Sequence, residues 1–138
     1  MYRHVLVPVD LTDVNRIAVE AASKLAQGKA KVTLLHVVET LADFEYEELE
    51  DFYAKLRTRA EEALERWRSE LAAAGVEADV EIVFGHRARE ILAFARESDC
   101  DLIVLTSHRV DREHPKGGLG TISHQVALLA DCAVLLVR

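Results

Sequence analysis

The chain has 138 residues, half of them apolar, with 17 basic and 24 acidic side chains and a formal charge of −7. That length suits one domain, residues 1–138, able to bury a core without disulfide or metal staples. The acidic balance argues against nucleic acid or an anionic membrane as the main partner, while leaving room for a local basic pocket.

Met1-Tyr2-Arg3-His4-Val5 runs directly into a strand pattern, and no apolar run has signal-peptide or membrane-spanning length, so a cytoplasmic protein is expected. Arg3 to Val9 reads as the first strand. Val5, Leu6, Val7 and Val9 are too continuously apolar for one wet face, which predicts a central parallel strand. Pro8 lies near its end, where a missing donor is tolerated, and Asp10 follows at the carboxyl end. Thr12-Asp13 supplies capping chemistry, and Val14, Ile17, Ala18, Ala21, Ala22 and Leu25 recur inward at helical spacing until Gln27-Gly28. Lys31 to Val38 repeats the strand pattern, with His36 inside it. Glu39 to Glu50 is acidic and weakly periodic. Leu49, Tyr53, Leu56, Ala60, Ala63, Leu64, Trp67 and Leu71 then form one apolar stripe that ends at Ala72 to Gly75. Glu47, Glu48, Glu50 and Asp51 read as a solvated face, or else as a partner surface.

Val76 to Phe84 alternates, with Val76, Ala78, Val80, Ile82 and Phe84 on one face and acids on the other, as suits an edge strand. Gly85-His86 turns into a short helix with Ala88, Ile91, Leu92 and Ala95 inward. Asp99 to Asp101 lead into a fourth strand, Leu102 to Thr106. Ser107-His108-Arg109, a polar loop and Lys116-Gly117-Gly118-Leu119-Gly120-Thr121 follow. The final helix, Gly120 to Ala130, is expected to bury Ile122, Val126 and Leu129 before a last strand, Cys132 to Val137. Cys100 and Cys132 lack C-x-x-C spacing and stand at the starts of apolar strands, so buried unpaired thiols are expected rather than a redox pair.

Five strands alternating with four helices predict an α/β fold, a single three-layer sandwich: a five-stranded parallel sheet in the order 3-2-1-4-5 with helices on both faces. In such a sheet a ligand sits beyond the carboxyl ends of the strands where the order reverses, here between strands one and four. Asp10 and the segment Thr106 to Thr121 would flank that crevice. Glycines just before a helix leave free backbone N–H groups pointing one way, an anion cradle, although Gly117, Gly118 and Gly120 would also serve merely to turn a corner. Asp10 could equally be a helix cap. The six histidines are scattered without metal-ligand spacing, and neither a Gly-x-Ser-x-Gly elbow nor a Walker A loop is present.

Four blocks resemble the universal stress protein family: Val5-Leu6-Val7-Pro8-Val9-Asp10, Leu34-Leu35-His36-Val37-Val38, Asp101-Leu102-Ile103-Val104, and Gly120-Thr121 with the helix leading to Cys132-Ala133-Val134-Leu135-Leu136-Val137-Arg138. The resemblance implies this fold, a homodimer and, in one branch, an adenine nucleotide in the crevice. That branch carries Gly-x2-Gly-x9-Gly-[Ser/Thr]. Here Thr106 and Arg109 stand at the two early glycines, ten residues separate Arg109 from Gly120, and Gly120-Thr121 agrees. By this likeness Asp10 faces the ribose or adenine end, Val9 and Val37 pack on the adenine, and Gly120, Thr121 and Ile122 offer N–H groups to phosphates. Pro8, Ser107, His108, Arg109 and Gly118 complete the implied site.

The function expected is a regulatory protein binding ATP or a related adenine nucleotide, with Mg²⁺ if the ligand is a triphosphate. The alternative is a nucleotide-free dimeric stress-response module with a degenerate site, docking other regulatory proteins. No general base is named, so the protein is at most a slow ATPase. An apolar edge strand, Val134 to Val137, predicts a homodimer built by pairing with its own copy.

Overall fold

Every continuous apolar run becomes a strand of one parallel sheet in a computed structural model that describes residues 1–41, 44–107 and 121–138. The strands are β1 (His4–Pro8), β2 (Lys31–Glu39), β3 (Ala78–Gly85), β4 (Leu102–Thr106) and β5 (Ala133–Val137). Their order is β3-β2-β1-β4-β5, as expected. The helices are α1 (Arg16–Ala26), α2 (Glu50–Ala73), α3 (Arg87–Glu97) and α4 (Ile122–Leu129). Among the described residues no helix is long and apolar enough to cross a membrane.

Strand alternation divides the core in two. Val5, Val7, Val32, Leu34, Leu102 and Val104 point to the side covered by α1 and α2, with Leu64, Trp67 and Leu71. Leu6, Leu35, Val37, Ile103 and Leu105 point to the other side, with Ile91, Ala95 and Val126 from α3 and α4. The centre of the sheet is therefore wet on neither face, which is why its strands read as unbroken apolar runs. The β1 end is pinned by Asp101, whose carboxylate accepts hydrogen bonds from the amides of Arg3 (2.9 Å) and His4 (3.0 Å). Trp67 is buried on the α2 stripe as expected, with the Arg16 guanidinium 4.7 Å above its ring.

Two helical faces differ from expectation. In α1 the buried residues are Ala18, Val19, Ala22 and Ala26, while Ile17 and Leu25, and Val14 in the 3₁₀ turn Asp13–Asn15 that leads into it, lie at the surface. Small side chains let the helix approach the sheet closely and push the larger ones to its flanks. In α4, Val126 is buried and Leu129 is exposed, because the helix ends at that turn. The expected cap from Thr12 also fails, its hydroxyl donating to Asp10 instead.

Pairing along β1 is unequal. It matches β2 over all five residues from His4 to Pro8 but β4 only at Val5–Leu102 and Leu6–Ile103. The Val9 amide donates to Leu35 O of β2, and the His4 carbonyl accepts from the Asp101 amide, so even-numbered residues of β1 present their backbone to β4. Pro8 is even-numbered and has no N–H, and the seam between β1 and β4 opens where its donor is missing.

Candidate functional site

A cavity of about 300 Å³ occupies that opening. Its lining brings together Pro8, Val9 and Asp10 from the end of β1, Val37 from β2, Thr106 from β4, and Thr121 and Ile122 from the start of α4, all anticipated from the sequence. Leu35, Leu105 and Ile91 complete its apolar wall, and Asn15, Arg87 and Ser123 its polar one. Ser107 is not part of the lining; it is buried, its hydroxyl 3.4 Å from that of Ser123. His108, Arg109, Gly118 and Gly120 fall outside the described residues, as does the rest of the loop from Val110 to Leu119.

Asp10 is built into a turn. Its Oδ1 accepts from the Thr12 amide (2.8 Å), the Thr12 hydroxyl (2.6 Å) and the Asn15 side-chain amide. Partial burial pushes the carboxyl up, but those hydrogen bonds and the nearby Arg87 charge outweigh it and hold the group below its ordinary value. With Oδ1 saturated, Oδ2 is the oxygen left to accept from a ligand hydroxyl. The turn itself is fixed from β2, where His36 Nδ1 donates to the Val9 carbonyl at 2.9 Å. His36 thus serves the architecture of the site without lining it.

Opposite Asp10, α4 starts with Thr121 as its N-cap. The Thr121 hydroxyl is 3.0 Å from the Ser123 hydroxyl and 3.1 Å from His124 Nδ1, and it makes no capping bond to the helix amides. The first-turn N–H groups therefore have no helical partner and, from Thr121, no side-chain cap. They add the positive end of the helix dipole to the crevice. Thr106 Oγ1 is buried and, among the described residues, has no hydrogen-bond partner. Such a group costs free energy unless something bonds to it.

Sequence reasoning missed Arg87. It enters because Gly85 ends β3 with φ +148°, a conformation that favours glycine, and a Cβ there would stand 2.7 Å from Glu90 Oε1. The sharp turn starts α3 at Arg87 and brings that side chain to the carboxyl ends of β1 and β2. The signal was available: the strand, glycine and helix pattern places the first residues of α3 on the ligand side of any such sheet. Among the described residues no group of three or more His, Cys, Asp or Glu side chains is arranged to hold a metal ion.

The chain matches known proteins along its whole length. The sequence profile of the universal stress protein family covers residues 1–138. Universal stress protein YxiE of Bacillus subtilis is 31% identical, with all of both chains covered. The structure of universal stress protein UspA from Lactobacillus plantarum superposes with a TM-score of 0.82 at 27% identity, covering 99% of this chain and 98% of that one. Hypothetical protein MJ0577 superposes with a TM-score of 0.83 at 28% identity, covering 99% and 96%. Two structures that share the fold at lower identity are complexes: a universal stress protein with cAMP (23% identity, TM-score 0.70, covering 99% and 97%) and one from Archaeoglobus fulgidus with dAMP (20%, 0.73, covering 99% and 98%). A match from the first residue to the last, in profile and in fold, means that this chain belongs to the universal stress protein family.

Proposed function

We propose that this protein is a regulatory nucleotide-binding protein whose crevice takes ATP or a related adenine nucleotide. The observation that carries the reading is the meeting, in one cavity, of an oriented carboxylate, an apolar wall and an uncapped helix start. The adenine would lie on Val9 and Val37, Asp10 Oδ2 would accept from a ribose hydroxyl, and the phosphates would approach the amides of Thr121 and Ile122. That proteins of this fold have been solved with cAMP and with dAMP supports the ligand class. With a triphosphate, Mg²⁺ would arrive on the nucleotide. Asp10 is a poor general base, since three donors hold Oδ1 and its carboxyl sits low, so binding rather than turnover is the activity expected. Mass spectrometry of small molecules released from freshly purified protein, with equilibrium dialysis against ATP, ADP and AMP, tests this. Recovery of an adenine nucleotide and saturable binding are expected. An empty protein that binds none of the three at millimolar concentration overturns it.

We also propose that the protein acts as a homodimer through β5. Among the described residues that strand pairs only with β4, and Leu135 on it is 38% exposed. Leu128 and Leu129 of α4, just before β5 in the chain, are 82% and 64% exposed. An apolar edge with free backbone groups favours pairing with a second copy. The alternative, a nucleotide-free dimeric module, keeps this surface and drops the ligand.

A further inference from the structure

Among the described crevice residues Arg87 is the one cation, and the nucleotide reading leaves it without a task. It opens α3, where the helix field disfavours a cation, so helix stability does not explain it. Its Nε stands 3.8 Å from Glu39 Oε1 at the end of β2, its charge acts on Asp10, and it lines the cavity beside Val37 and Ile91. One carboxylate thus pairs with the guanidinium, whose charge is also felt at a second, Asp10. An anionic group of a ligand brought to Arg87 would also meet the charges of Glu39 and Asp10, which weakens the attraction. A neutral, flat, polarisable group meets no such penalty, and a guanidinium plane stacks well on one. Arg87 opens α3, which packs on β2 and β3, whereas the neighbouring α4 packs on β5, so Arg87 stands on the Val37 side of the crevice, the base end in this reading, and the α4 start on the other.

Resting on the nucleotide reading, we propose that Arg87 is the base clamp of this site: its guanidinium, steadied by Glu39, closes over a purine lying on Val9 and Val37. Recognition would then be shared between a base end that binds the nucleoside and a helix start that adds to it for each phosphate. The test measures the affinities of adenosine, AMP and ATP by calorimetry for the wild-type protein, Arg87→Ala and Arg87→Lys. Thermal unfolding is run alongside to establish that each variant is folded. Arg87→Ala should weaken all three ligands by a similar factor, about five- to tenfold, with little dependence on salt. Arg87→Lys should recover only a minor part, because an ammonium keeps the charge but lacks the plane. A loss that grows from adenosine to ATP and fades at high salt would make Arg87 a phosphate ligand and overturn the proposal. So would full recovery by lysine, or unchanged affinity in the alanine variant. If none of the three ligands binds the wild-type protein, the nucleotide reading falls and the clamp falls with it.

Discussion

Replacing Asp10 with alanine removes the acceptor of three hydrogen bonds, two from Thr12 and one from Asn15. A single such bond is worth about 0.5–1.5 kcal/mol net, and more when the acceptor is charged. Asp10 is solvent-exposed, however, which discounts the sum. A loss of about 1 kcal/mol, or about 3 °C in Tm for a domain of this size, is expected for the ligand-free protein. The pH dependence carries the sharper content. The folded carboxyl titrates below its unfolded value, so its contribution is complete above the unfolded pKa and is lost as pH falls through the folded one. Urea unfolding followed by circular dichroism should show the full gap between wild type and Asp10→Ala at about pH 6, narrowing below about pH 4. Ligand affinity should fall further, by about 10- to 150-fold, if Oδ2 accepts a ribose hydroxyl in a charge-assisted bond worth about 1.5–3 kcal/mol. Asp10→Asn should keep most of the turn, since its Oδ1 still accepts from Thr12 and Asn15, but should lose ligand affinity as alanine does, since an NH2 replaces the Oδ2 acceptor and the charge is gone. A stability gap that is the same at about pH 6 and about pH 2.5, with ATP affinity unchanged, would refute the role of Asp10 in both turn and site.

Two further outcomes are expected. The Val137 carbonyl accepts from the amide of Ser107, the residue after β4, so the backbones of Ala133, Leu135 and Val137 face β4 and those of Val134 and Leu136 face the open edge. Val134→Pro should therefore give a folded monomer in sedimentation, whereas Leu135→Pro should also cost stability; a dimer that survives Val134→Pro places the interface elsewhere. Cys100 and Cys132 are free thiols lining one cavity of about 190 Å³, and burial pushes the Cys100 thiol up to about 12, with the Cys132 thiol raised as well. At about pH 8 only about one Cys100 in 10⁴ is thiolate, so a thiol reagent should label the native protein slowly and the unfolded protein fast; rapid native labelling of Cys100 would contradict that burial.

How much of this was legible in the sequence follows the range of the forces involved. Strand identity, sheet order, the edge character of β3 and the meeting of Asp10 with Thr106 and Thr121 all follow from hydrophobic period and right-handed crossover, which are written locally along the chain. Helix faces were less legible. Spacing alone gave Val14, Ile17 and Leu25 as good a claim to the core as Ala18 and Ala22, and close packing on the sheet selected the small side chains. The crevice needed three dimensions for its finer chemistry. Pro8 opens the β1–β4 seam because of the direction its missing donor would face, Asn15 joins Asp10 through a turn, and Arg87 arrives from a segment 77 residues further on. Periodicity records which residues avoid water; which oxygen of Asp10 is left for a ligand and which cation shares its crevice depend on contacts between distant segments, and only the folded chain creates those.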